Sequence, residues 1–333
     1  MRTLITLDYE LYFGPQSGTI ERCLVEPTEA LARVAARTGA RFVFFVDAGF
    51  LYRLEQQAPT SAEVGRQFDR VRQQLHELVS AGHDVQLHIH PHWEDSHWDG
   101  QRWAMDTRRY RLHQFSAADI AAILRNYRVA LADAAQYDRI CAYRAGGWAM
   151  QPFEPLATVL AENGVRIDSS VMPGAYLDDP LLGYDFRASP HEASWRFSAD
   201  PLRPDPAGAF FEVPISSIVA PQSVKISSAV SKRLGPSSHA PYGDGDTVHV
   251  SGLGKLRRLL DRSPSSVTID GYKAVLLERA YREHARRKDS TFVVIGHPKA
   301  VTPFALDCLE DFLRKTKAST AVFPDMLREL APA

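Results

Sequence analysis

The stretch Asp84-Val85-Gln86-Leu87-His88-Ile89-His90-Pro91-His92-Trp93 sets the architecture of this chain. In Val85–Ile89 the apolar Val85, Leu87 and Ile89 recur two apart, so it reads as a strand. Three of the 12 histidines of the chain fall within five residues at its end, His88 inside the run and His90 and His92 beyond it. His88 and His92 stand four apart, a spacing that on a helix would place both on one face. Pro91 lies between them and opposes a helix interior. The histidines therefore belong to the turn just past the C-terminal end of a strand, where parallel α/β folds assemble their sites. Imidazole suits zinc and its first-row neighbours, so the cluster points to a metal.

The flanking sequence repeats the same rhythm. Thr3–Leu7, Arg41–Val46, Ile140–Tyr143, Val165–Ile167, Phe210–Ile215, Phe292–Ile295 and Thr320–Phe323 read as strands. In Arg41–Val46 every residue after Arg41 is apolar, the mark of a strand covered on both faces. Between them, helices are expected at Pro27–Ala36, Ser61–Ala81, Ser116–Ala134, Pro155–Glu162, Tyr272–Arg287 and Pro303–Lys315, with a last helix at the end of the chain. In Ser61–Ala81 the residues Val64, Phe68, Val71, Leu75 and Leu78 form one apolar face, and Gly82 marks its end. Strands alternating with helices specify a parallel α/β fold, wound or barrel. Trp93–Gln114 and Gln222–Ser266 break the rhythm and are read as irregular insertions, and Ala199–Ala209 as a Pro-rich loop. All are treated as excursions from a single domain spanning residues 1–333.

Composition narrows the function classes. Lys+Arg 39 against Asp+Glu 40 gives a net charge of −1. No global field recruits nucleic acid or an anionic membrane. Cys23, Cys141 and Cys308 are odd in number and far apart, which argues against a disulfide framework and suits a reducing compartment. No run approaches the ~18 apolar residues of a membrane span, and the apolar start is too short for a signal segment. The expectation is a soluble cytoplasmic protein of unknown oligomeric state.

Four further motifs follow strands. Thr6-Leu7-Asp8-Tyr9-Glu10 closes the first, and alternation puts Asp8 and Glu10 on one face. Two carboxylates beside histidines can divide the work of metal ligand and general base. Tyr143-Arg144-Ala145-Gly146-Gly147-Trp148 offers an arginine able to pin a carboxylate by a bidentate contact. Ile167-Asp168-Ser169-Ser170 reads by itself as a helix cap. Ile295-Gly296-His297-Pro298 places a histidine at the end of a late strand. Trp93, Trp98, Trp103 and Trp148 supply faces that pack on sugar rings, with a packed flap as the equal alternative. Gln222–Ser266 is net basic and reads as a solvated loop rather than an anion site.

The order of these motifs resembles the polysaccharide deacetylase family (NodB-homology, carbohydrate esterase family four). The matching segments are Thr6–Glu10, His88–His92, Arg144–Gly147, Asp168–Ser170 and Ile295–His297, with Phe44-Phe45-Val46 similar to the aromatic second strand of the family. The resemblance implies a distorted (β/α) barrel of about seven strands with loop insertions. It implies a divalent metal, zinc by preference, held by His88, His92 and Glu10. Asp8 is then the catalytic base and Arg144 orients it; Asp168 tunes the general acid His297. Ile295 lines the acyl pocket, and Tyr9, Trp93 and Trp148 face the substrate. Where the family pattern has Asp-Asp, this chain has Asp8-Tyr9, so Glu10 stands in as the carboxylate ligand; the proline of the third motif is missing. The implied activity is removal of an N-acetyl group from an amino sugar, in a polysaccharide or its intracellular precursor. Open alternatives are a deformylase of an N-formyl amino sugar, an amidohydrolase or phosphoesterase using His88-Ile89-His90, and a carbohydrate-binding protein without catalysis.

Overall fold

The first apolar run folds as the strand Arg2–Tyr9. In the computed structural model, which describes residues 1–246 and 264–330, it pairs in parallel with the strand Thr291–Gly296, from Arg2 opposite Thr291 to Leu7 opposite Gly296. Leu4, Ile5, Phe292 and Val294 are completely buried, as a strand covered on both faces requires. This pair belongs to one of two compact units, Met1–Phe42 with Ile215–Thr320; the other is Val43–Pro214 with Ala321–Ala333.

In the first unit, helix Glu26–Thr38 turns Leu31, Val34 and Ala35 inward and ends at Gly39, whose φ of 69° needs a residue without Cβ. Helix Pro303–Thr316 begins where the Thr302 side chain accepts the Ala305 N–H at 3.1 Å. The helix expected at Tyr272–Arg287 divides into a 3-10 turn, Gly271–Leu276, and an α-helix, Leu277–Arg286. The tighter turn follows directly on Asp270, whose carboxylate is fixed on His297. The last expected strand reduces to a single parallel bridge between Thr3 and Thr320. The helix expected at the end of the chain runs from Phe323 to Leu330, with Pro324 at home in its first turn.

Gln222–Ser266 is not irregular throughout. Gln222–Leu234 forms a helix, with Ile226, Val230 and Leu234 recurring four apart among serines that hid the period. Residues 247–263, including Lys255, Arg257, Arg258, Asp261 and Arg262, lie outside the described residues.

In the second unit the strands Val43–Asp47, Asp84–Ile89, Ala142–Ala145, Ile167–Asp168 and Phe210–Glu212 pair in parallel, each with the next. Trp195–Phe197 adds an antiparallel edge. Val85, Leu87 and Ile89 are at most 1% exposed, and burying each side chain contributes about 1.5–3 kcal/mol. Helix Ala62–Ser80 is capped by Ser61 and stops before Gly82, at φ 84°. Helix Ala48–Gln57 follows its strand without a loop, Asp47 capping Phe50 at 3.5 Å. Trp93–Gln114 holds a two-stranded ribbon, His97–Trp98 with Trp103–Ala104, between short 3-10 turns. No helix among the described residues is long and apolar enough to cross a membrane.

Each parallel strand carries polar groups to its C-terminal end. In the first unit these are Asp8, Glu10 and His297; in the second they are Asp47, His88, His90, Arg144, Asp168 and Glu212.

Candidate active site

In the first unit, strand alternation does what the sequence requires. Asp8 and Glu10 emerge on the same side, and His297 Nε2 lies 3.7 Å from Asp8 Oδ2 and 3.8 Å from Glu10 Oε1. Both carboxylates are buried, while His297 keeps 26% of its side chain exposed. The other ring nitrogen, Nδ1, meets Asp270 Oδ2 at 2.8 Å, and the His297 backbone N–H donates to Asp270 Oδ1 at 2.9 Å. Burial alone would lower the His297 pKa, but Asp270 first, then Asp8 and Glu10, raise it to about 9. Burial pushes Asp270 up, yet the His297 charge and its bonds hold the carboxyl below its ordinary value. The result is a charged imidazole whose orientation is fixed from behind, the arrangement of a general acid.

The carboxylate behind His297 is thus Asp270, not Asp168. Asp168 accepts the Ser170 hydroxyl at 2.7 Å and the Ser170 N–H at 3.2 Å. It lies opposite Glu212 in the parallel pairing. Burial pushes both carboxyls up, Glu212 furthest, because the Asp168 charge adds to its burial. Two carboxyls side by side in a buried position disfavour a second negative charge, which is why Glu212 is pushed furthest.

In the second unit, His88 Nδ1 bonds the Arg144 carbonyl at 2.9 Å. A carbonyl can only accept, so Nδ1 carries a proton and Nε2 is the nitrogen left to a ligand bond, the usual support of a metal-binding histidine. His88 Nε2 lies 3.1 Å from His90 Nε2. His90 fits its place only because Gly146 has no side chain; a Cβ there would lie 2.4 Å from His90 Nδ1. The structure thus brings His90 to His88. The His92 ring meets that of His90 edge-on at 5.4 Å and is stacked on Tyr110 at 5.7 Å and on Trp93 at 5.5 Å. Arg144 is completely buried. Its Nε donates to the Ser169 carbonyl at 2.9 Å, its Nη2 to the Ser169 hydroxyl at 3.1 Å, and its guanidinium lies over Phe45.

The substrate-facing expectations divide. Trp93 is 0% exposed and donates its indole N–H to Asp47 at 2.6 Å, packed against Phe50 and Trp103. It is a core residue, held there by that bond. Tyr9 and Ile295 are each 1% exposed. Trp148 is half-buried and tilted on Tyr184 at 5.6 Å, which leaves part of an indole surface for a ligand. Sequence reasoning missed Asp270 and Lys299, and it gave His90 no part in the preferred site. The one available signal for Asp270 is the apolar Val267-Thr268-Ile269 before it, the same strand-then-carboxylate pattern that singled out Asp168.

No family model matches the sequence, and no curated protein matches it. Solved structures do. A Mycobacterium smegmatis protein assigned as a polysaccharide deacetylase superposes with a TM-score of 0.54 over 99% of this chain and 92% of its own, at 16% identity. The family 4 carbohydrate esterase from Streptomyces lividans, in complex with acetate, gives 0.43 at 12% identity, covering 97% of this chain and 94% of its own. An allantoinase gives 0.47 at 12% identity, covering 95% and 84%. The first of these, matched over nearly all of both chains, establishes the architecture: the fold of this chain is that of the polysaccharide deacetylases, the distorted (β/α) barrel of NodB-homology type.

Proposed function

We propose that the chain is a metal-dependent hydrolase that removes an N-acetyl group from an amino sugar, in a polysaccharide or its precursor. The observation that carries this reading is the Asp270–His297 pair set against Asp8 and Glu10. It is a fixed acid facing a potential base and a potential ligand. The donor set supports a metal. Glu10 in the first unit and His88 and His90 in the second are residues of ligand type, and the carbonyl behind His88 Nδ1 prepares that ring as a neutral ligand. Two imidazoles and one carboxylate suit zinc and leave it an open position.

A divalent ion bound there supplies Lewis acidity, polarising the acyl oxygen and making water acidic. The remaining work falls to the side chains. Asp8 accepts the proton of the attacking water as the C–O bond forms. Arg144 orients Asp8 in this reading. His297, its Nδ1–H held by Asp270, presents the proton on Nε2 and delivers it to the amide nitrogen as the C–N bond breaks. An amine leaves poorly without that proton. The products are the free amino sugar and acetate.

The test is acetate release from N-acetylated amino sugars, their oligomers and their nucleotide-linked and lipid-linked forms, with and without a chelator. Release abolished by the chelator and restored by zinc supports the proposal. Release of formate from N-formyl substrates in its place would make the protein a deformylase. Binding of sugar with no acyl release would overturn the catalytic reading.

A further inference from the structure

Lys299 lies two residues beyond His297, and it is 7% exposed. Its Nζ donates to Glu10 Oε1 at 2.9 Å and to the Leu11 carbonyl at 2.5 Å. The rings of Tyr12 and Phe13 stand 4.8 and 5.0 Å from the same nitrogen. The Tyr12 hydroxyl in turn donates to the Lys299 carbonyl at 3.2 Å, fixing the backbone from which the side chain extends. A lysine is rarely buried unless paired, and here it is paired with the carboxylate that the proposed function assigns to the metal.

We propose that Lys299 is a resident counter-charge for Glu10, a positioning residue that keeps the metal-free site folded and makes the metal exchangeable. The inference rests on the metal reading of Glu10. Burying a carboxylate is costly unless its charge is compensated; Lys299 gives Glu10 its closest cation, at 2.9 Å against 3.8 Å for His297, and the aromatic faces of Tyr12 and Phe13 favour a cation at that point. When a divalent ion takes Glu10, it shares the carboxylate with a positive charge held in a medium of low polarisability. The two cations repel. The metal therefore binds more weakly than it would to the same ligands without Lys299.

The experiment compares the full-length wild type with Lys299→Gln, which keeps a donor and loses the charge, and Lys299→Arg, which keeps the charge. Zinc affinity is measured by competition with a chromophoric chelator, and thermal melting is followed with and without zinc. The expected result for Lys299→Gln is zinc bound about tenfold or more tightly, a lower melting temperature without metal, and a larger rise on adding zinc. Lys299→Arg should bind zinc as the wild type does. A merely structural lysine would lower both melting curves and leave affinity unchanged; that result, or weaker zinc binding by Lys299→Gln, overturns the inference. A wild type that binds no zinc would overturn the metal reading of the site instead, so the two failures are distinguishable. If Lys299→Gln does not fold, affinity in Lys299→Met and Lys299→Arg decides in the same way.

Discussion

Gly146→Ala probes the proposed ligand His90 without touching it. The Gly146 backbone is not left-handed, so alanine suffers no conformational penalty there and the collision is the whole perturbation. The new Cβ would lie 2.4 Å from His90 Nδ1 and 2.5 Å from its Cε1, whereas ordinary contact begins near 3.4 Å. The imidazole must therefore retreat by roughly 1 Å (3.4 − 2.4) to relieve the overlap. Metal–ligand distances tolerate only about 0.2 Å, so a displaced ring is lost as a ligand or binds at a poor angle. Zinc affinity should fall about 10–100-fold, the range typical of changes behind a ligand. Overpacking costs about 1–3 kcal/mol of stability, which a denaturant melt of the metal-free protein measures separately. The assay is chelator competition for zinc, run beside acetate release at saturating zinc. If Gly146→Ala binds zinc as the wild type does, His90 is not a ligand, and the assignment passes to His92, whose ring lies 5.4 Å from that of His90.

Three further substitutions test the remaining roles. Asp8→Asn should retain zinc and lose turnover by about 10²–10⁴-fold, the usual worth of a general base; full activity would remove Asp8 from the mechanism. Asp270→Asn should reduce kcat while leaving zinc affinity within a fewfold, since it acts on His297 and not on the ligands; an unchanged rate would show that His297 works without it. Glu212 has its pKa raised by burial and by Asp168, so the folded state holds a proton that the unfolded chain gives up near its ordinary pKa. Its stabilisation is complete below that value and is lost as pH rises through the folded pKa. Glu212→Gln, which imitates the protonated form, should flatten the fall of Tm on the alkaline side. A Tm profile parallel to the wild type would contradict the upward shift of Glu212.

The parts of the fold readable from sequence are those in which local pattern and final environment agree. Phe292–Ile295 is apolar throughout because both of its faces are covered, and in Asp84–Ile89 the β-formers Val85, Leu87 and Ile89 recur two apart, so both announce themselves as strands. Helix Ala48–Gln57 could not be read, because Val43 to Leu51 is nearly continuous apolar sequence and the change from strand to helix happens at the Asp47 cap without a loop. The site shows the same division. Asp8 and Glu10 were placed together by the two-residue period alone, and His297 lies within 4 Å of both. The carboxylate behind His297 was misassigned because Asp168 and Asp270 both follow short apolar runs. Only the spatial pairing separates them, with Asp168 committed to Ser170 and Glu212. Trp93 looked like a sugar platform because its partner Asp47 is 46 residues away. Lys299 was invisible for a similar reason: a lysine in a turn reads as solvated until a carboxylate 289 residues distant is seen beside it.

The most direct test is an anomalous difference map at the zinc edge from crystals of the zinc-loaded Asp8→Asn protein with an N-acetyl amino sugar bound. The account predicts one peak per chain, ligated by Glu10, His88 and His90, with the acetamide between it and His297 Nε2. Two peaks, or a single ion elsewhere with Glu10 still on Lys299, would contradict it.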